Sequence, residues 1–175
     1  MNKHKLPVLG LSLILLITSC KKNDVQHENT LGNAPVAAAA VAATAKASDW
    51  KTLSSWSSAK GDKFTTYSTK VSDSSITNSV TSRGLVLAFV KNGSTINALP
   101  FQQKGSNDSY YYYQVSDGSI TLSCDNYSGT TNLSSEAFKY FVFSPEKLKD
   151  LESQGYTKIK LMQLAYEDVA ALFTK

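Results

Sequence analysis

The sequence predicts a mainly β domain, a β-sandwich-like antiparallel fold with short C-terminal helices, preceded by a signal peptide and a disordered tether. Three observations carry this. The middle of the chain is rich in Ser, Thr, Tyr and Val, the composition of strands joined by polar turns. Two segments, 85–90 and 138–143, are apolar at nearly every position, as strands covered on both faces must be. After Phe143 the apolar spacing changes from the two-residue period of strands to that of helices.

Residues 1–19 read as a lipoprotein signal peptide. Lys3 and Lys5 form a positive start, and Leu6 to Ile17 is an almost unbroken apolar run. The run is too short for a membrane-spanning helix, which needs about 20 residues, and suits a secretory core of about 7–15. Ile17-Thr18-Ser19-Cys20 has the layout of a lipobox, cut just before a cysteine that becomes lipidated. Cys20 is therefore the expected lipidation site, and the expected partner is a lipid bilayer. Each buried methylene contributes about 0.8 kcal/mol, so two or more acyl chains anchor a protein stably. Lys21 and Lys22 follow, placed to meet anionic headgroups. Lysine rather than aspartate after the cysteine points, by the enterobacterial sorting pattern, to the outer membrane of the cell envelope. The face of that membrane is left open.

Residues 20–49 read as the lipidated cysteine and a flexible Ala-rich tether. Alanine favours helix, but the stretch has no bulky apolar stripe with which to pack. As a coil of about 28 residues it would span about 30 Å.

Residues 50–175 are expected to form one β-rich globular domain, a usual size for a single core. Trp50 and Trp56 are expected to plug the edge of that core. Phe64 to Val71 reads as a strand, and Leu85 to Val90 as a central one. Asn92-Gly93 marks a hairpin, and the chain returns through Ile96 to Phe101, with Pro100 limiting further pairing. Tyr110 to Val115, the turn Ser116-Asp117-Gly118-Ser119 and Ile120 to Cys124 form a second hairpin. Phe138 to Phe143 is a late strand. Two sheets, or a sheet covered by helices, would account for the double-sided burial. Ser144 is a plausible N-cap with Pro145 in the first turn, Leu148 and Leu151 give apolar spacing, and Gly155 ends the helix. A last helix is expected over 165–173, with Val169, Leu172 and Phe173 on one face.

Several segments taken together resemble a family. Ile76-Thr77, the strand Arg83-Gly84-Leu85-Val86-Leu87-Ala88-Phe89, Leu99-Pro100-Phe101, the tyrosine strand, the 138–143 strand and Tyr166-Glu167-Asp168-Val169 follow one another in this order. The order is similar to that of small, uncharacterised exported lipoproteins of Bacteroidota-type bacteria with a β-rich C-terminal domain. The resemblance covers most of 64–173 and implies an exported β-rich lipoprotein without naming a chemistry. In that pattern an arginine often opens the late strand, where this chain has Lys139.

The chemistry is narrowed mainly by what the domain lacks. His4 lies in the signal and His27 in the tether, so histidine-dependent catalytic triads and histidine zinc sites have no residues to use. Losing two lysines with the signal lowers the formal charge of +4, the basic residues are scattered, and only Arg83 is an arginine. No nucleic-acid partner is expected. Cys124, on the apolar parity of its strand, reads as a small buried side chain. Two Ser-x-x-Lys tetrads, Ser57 to Lys60 and Ser144 to Lys147, lack the companion motifs of penicillin-binding enzymes. Glu136, Glu146, Glu152 and Glu167 read as solvated acids near helix starts or surfaces. Asp108, Asp117, Asp125 and Asn126 read as turn residues with no calcium-loop spacing. No cofactor and no metal are expected.

The unusual surface candidate is Tyr110-Tyr111-Tyr112-Tyr113. Val115 assigns Tyr111 and Tyr113 to the core face, leaving Tyr110 and Tyr112 outward. Two readings of that pair stand: a ligand-binding surface for sugars or a protein, or tyrosines simply covering a sheet face. The expectation is a non-enzymatic, membrane-anchored binding or interaction module. Its alternatives are a glycan-binding accessory protein for polysaccharide capture, a subunit of an envelope protein complex, or a carboxylate- or metal-dependent hydrolase.

Overall fold

The computed structural model describes residues 44–105, 108–128 and 132–173. Cys20, the signal segment and most of the tether lie outside the described residues. The strands are β1 (Ala45–Ala47), β2 (Lys51–Thr52), β3 (Ser57–Lys60), β4 (Thr65–Ser72), β5 (Leu85–Asn92), β6 (Thr95–Ala98), β7 (Phe101–Gln103), β8 (Ser109–Ser116), β9 (Ser119–Asn126) and β10 (Ala137–Phe143). The helices are α1 (Asn78–Arg83), α2 (Pro145–Ser153), α3 (Lys158–Met162) and α4 (Tyr166–Ala171).

The strands form two antiparallel five-stranded sheets among the described residues, as the composition predicts. The first has the order β1-β10-β5-β6, with β2 pairing the same edge of β10 as β1; the second is β3-β4-β9-β8-β7. Side chains alternate along each strand, so each sheet has an inward and an outward set. Val86, Ala88 and Val90 of β5 and Phe138, Tyr140 and Val142 of β10 meet Tyr111, Ile120, Leu122 and Cys124 of the second sheet in one core. Ile76 and Val80 join that core from α1 and the residues before it. The other parity of the first sheet, Leu87, Phe89, Phe141 and Phe143, packs under Leu148, Leu151, Leu161 and Val169 of the helices. The described domain is thus three layers deep, and β5 and β10 are buried on both faces because they form the middle one. Each fully buried Leu, Val or Phe contributes about 1.5–3 kcal/mol, which concentrates stability in this layer.

Local signals place most elements. Ser144 caps α2 by accepting from the Lys147 N–H at 3.2 Å, with Pro145 in the first turn. The Asp117-Gly118 turn joins β8 to β9, with Gly118 at φ +73°. The first hairpin is shifted by one residue from the expectation. Asn92 pairs with Thr95, so Gly93 and Ser94 make the turn, and only Gly93 takes positive φ. A glycine first in a two-residue turn accepts that conformation, leaving Asn92 free to pair. The return strand also ends sooner than expected. Leu99–Pro100 is a cis peptide, and after it Phe101 pairs with Tyr111 in the second sheet. The last helix covers 166–171 within the expected 165–173, and Val169 is fully buried.

The boundary between tether and domain needs correcting. Residues 44–49, assigned by sequence to the tether, belong to the fold: Ala45 to Ala47 pair with Phe143 to Phe141. What they supply is backbone hydrogen bonding to a sheet edge, which leaves no apolar signature. Trp50 and Trp56 flank the cores as expected: the Trp50 ring lies 5.3 Å from Tyr166, and Trp56 lies 5.6 Å from Phe138. The Lys139 ammonium sits 5.7 Å from the Tyr166 ring and 5.5 Å from that of Phe141, a cation over aromatic faces.

Candidate functional site

The two outward faces of the sandwich differ. Helices cover that of the first sheet, whereas the outward residues of the second sheet belong to neither hydrophobic core. Register defines this face. Across it run Ser57 and Ala59 of β3, Thr66, Ser68 and Lys70 of β4, Asp125, Ser123 and Thr121 of β9, and Tyr110, Tyr112 and Gln114 of β8, with Gln102 of β7 at the rim. Hydroxyls and amides fill most of these positions, which explains why the strand-forming residues of this region are Ser and Thr rather than Val.

Tyr110 and Tyr112 lie on this face, two residues apart on one strand, with ring centroids 5.6 Å apart and planes inclined by 26°. Tyr110 is 36 % exposed and Tyr112 is half-buried. Asp125 lies directly across from Tyr110 and accepts hydrogen bonds from Thr66 Oγ1 at 2.6 Å and from the Tyr112 hydroxyl at 3.4 Å. Burial first, then the Asp125 carboxylate, pushes the Tyr112 phenol above the usual tyrosine range, so it stays a neutral donor.

Two further aromatics continue the alternation beyond the strand ends. Phe64, one residue before β4, is 37 % exposed, and Tyr127, one after β9, is 48 % exposed. Their rings pair at 5.3 Å. The Tyr127 N–H donates to the Asp108 carbonyl at 2.9 Å, so strand pairing and side-chain parity extend to this position. Sequence reading singled out Tyr110 and Tyr112 but not these two. The signal was there, since Phe64 and Tyr127 share parity with Thr66 and Asp125, but it needs the register to be read. Two aromatic pairs, Tyr110 with Tyr112 and Phe64 with Tyr127, thus lie on the face that carries Asp125.

The other candidates are dispersed. Ser57 and Lys60 stand three apart on β3 and so face opposite sides. Ser144 is committed to capping α2. Cys124 is fully buried, and burial pushes its thiol up to about 11, which leaves it a neutral core side chain. Asp125 and Asn126 lie in β9 rather than in a turn, held there by pairing on both sides. Glu136 is corrected most: read as a solvated acid, it is only 3 % exposed. It stands two residues before Phe138 on the inward parity of β10. Among the described residues, no group of three His, Cys, Asp or Glu side chains is placed to hold a metal ion, and no helix is long and apolar enough to cross a membrane.

Comparison with protein-family models, with curated proteins and with solved structures finds no match.

Proposed function

We propose that this chain is a non-enzymatic binding module of the bacterial cell envelope, anchored in the outer membrane through lipidated Cys20, and that the outward face of its second sheet binds a saccharide chain. The stacked Tyr110–Tyr112 pair beside Asp125 is the observation that carries this reading. Sugar rings present apolar C–H faces that lie against aromatic rings, and their hydroxyls need acceptors and donors at the ring edge. Asp125, Gln102, Gln114 and the flanking hydroxyls supply both. A sheet face that no helix covers suits an extended polymer better than a single small molecule. Rigid tyrosines lose little conformational freedom on binding, which favours them at such surfaces.

Affinity electrophoresis of the chain through gels containing envelope or dietary polysaccharides tests this. The parent is expected to be retarded by at least one polysaccharide. Tyr110→Ala combined with Tyr112→Ala is expected to weaken binding about 30-fold or more, the roughly 2 kcal/mol carried by hot-spot aromatics. Far-UV circular dichroism should be unchanged, because both side chains lie outside the cores. Absence of retardation across the whole panel would sink the saccharide reading.

A further inference from the structure

β6 is an edge strand of the first sheet and β7 an edge strand of the second, and a cavity of about 280 Å³ lies where the chain passes between them. Asn92 and Thr95 at its rim are exposed, whereas Val90, Tyr111 and Glu136 are buried, so it runs from a solvent-facing mouth to a covered floor. Elsewhere the inward positions of both sheets are mostly apolar. At this corner they are Asn97, opposite Val90 on β6, Gln103, opposite Ser109 on β7, and Glu136 at the start of β10. Polar residues on the core parity of three different elements converge on one cavity, a departure from the pattern of the fold that marks functional positions.

Glu136 is the centre of this arrangement. Its Oε1 accepts from the Tyr111 hydroxyl at 2.7 Å, while its Oε2, also buried, has no hydrogen-bond partner among the described residues. Among the described residues, no lysine, arginine or histidine lines the cavity. A buried carboxylate with one oxygen unpaired and no counter-charge is costly.

We propose that this cavity is a second binding site, for a small ammonium-bearing ligand whose cation pairs with Glu136. An ammonium supplies both missing parts, a donor for Oε2 and a positive charge. The amide oxygens of Asn97 and Gln103 can accept its remaining hydrogens, and the Phe101 ring in the wall adds a face that attracts cations. A neutral polyol would satisfy the oxygen but leave the charge uncompensated. A divalent metal would find one carboxylate and neutral amides, short of the oxygen shell it needs. None of these residues belongs to the outward tyrosine face, so the two sites are independent.

The pH response follows from the groups that face Glu136. Tyr111 on β8 and Cys124 on β9 are both held neutral well into the alkaline range by burial. Burial also raises the Glu136 pKa, only partly offset by the Tyr111 hydrogen bond. Glu136 is therefore the group of the three that takes up a proton as pH falls, and protons compete there with the ammonium.

NMR titration of the full chain with ethanolamine and butylamine, and with ethylene glycol and butanol as uncharged counterparts, tests the proposal. The amines are expected to shift the Asn97 and Gln103 side-chain amides saturably, and the alcohols are not. Affinity should fall about tenfold per pH unit below the Glu136 pKa, and at least tenfold in Glu136→Gln at neutral pH. No saturable shift with either amine, an equal response to the alcohols, or an undiminished affinity in Glu136→Gln would overturn it. Should Glu136→Gln not fold, Asn97→Ala and Gln103→Ala, both half-exposed, replace it, and an amine affinity unchanged in both overturns the proposal.

Discussion

Gly84 stands between α1 and β5, where a methyl group on its Cα would lie 2.6 Å from the Phe143 carbonyl oxygen and 2.7 Å from the Val80 Cα. Both neighbours are backbone, so no side chain can turn aside. Its φ of −78° is open to any residue, so the demand is for space alone. Gly84→Ala is expected to cost about 2 kcal/mol through overpacking, read as a lower urea midpoint with unchanged circular dichroism; a variant as stable as the parent would show that the backbone yields. The sequence displays this glycine at the head of an apolar strand but not its reason, because Phe143 is distant along the chain. Glu136 was hidden differently. Its parity partners Phe138, Tyr140 and Val142 sit in a strand that is apolar on both faces, so alternation there assigns no side. In the tyrosine strand, by contrast, Val115 and Gln114 separate the two faces, and the orientation of all four tyrosines was legible.

At the scale of elements, the three-residue β1 is held by more than its ladder. Lys46 pairs with Asp73 at 2.9 Å, and Asp73 also accepts from the Ser75 N–H at 2.9 Å, the Ser75 hydroxyl at 2.6 Å and the Tyr140 hydroxyl at 2.8 Å. One buried carboxylate thus ties β1 and β10 of the first sheet to the loop leaving β4 of the second. Burial by itself would raise the Asp73 pKa; the hydrogen bonds from Ser75, Lys46 and Tyr140 outweigh it and hold the carboxyl well below the usual range. A pKa lowered by folding contributes stability above the unfolded value of about 3.9, and that contribution is lost as pH falls toward the folded value. Asp73→Asn is therefore expected to cost about 2–3 kcal/mol at neutral pH and progressively less below about pH 4. Amide exchange should quicken first at Ala45 to Ala47. A gap between parent and variant that stays constant across pH would contradict the assignment. Long strands, hairpins and α2 were readable because they carry their own periodicity and caps. β1, β2 and β7 hold two or three residues each, too few for a period to emerge. α1 and α3 each bury one side chain, Val80 and Leu161, so no apolar stripe marks them, whereas α4, as short as α1, runs on into Leu172 and Phe173. The caps of α1 and α3, Thr77 and Thr157, are visible only once the helices are known.

At the scale of the whole molecule, the sequence left open whether a second sheet or a helical layer covers the apolar strands, and β5 and β10 have both. The crossover at Leu99–Pro100 decides which strands share a sheet and creates the polar corner, and no local pattern announces that partition. The outer edge of β10 has a consequence of another kind. Ala45 to Ala47 cover Phe141 to Phe143, Lys51 and Thr52 cover Phe138 and Ala137, and Ser48 bridges to Tyr140, donating its N–H to the carbonyl at 2.9 Å and accepting the Tyr140 N–H at 3.0 Å. Behind that cover lies Ala-Phe-Lys-Tyr-Phe-Val-Phe, a run of strong β-formers with one charge. Such a segment, once its edge is bare, templates pairing with other chains. A chain trimmed to begin at Leu53 is expected to self-associate on size-exclusion chromatography and to bind thioflavin, whereas a trimmed chain that stayed monomeric would contradict this. The short strands ahead of the main fold thus occupy the edge of its most apolar strand, and a proteolytic cut there is expected to open that edge to other chains.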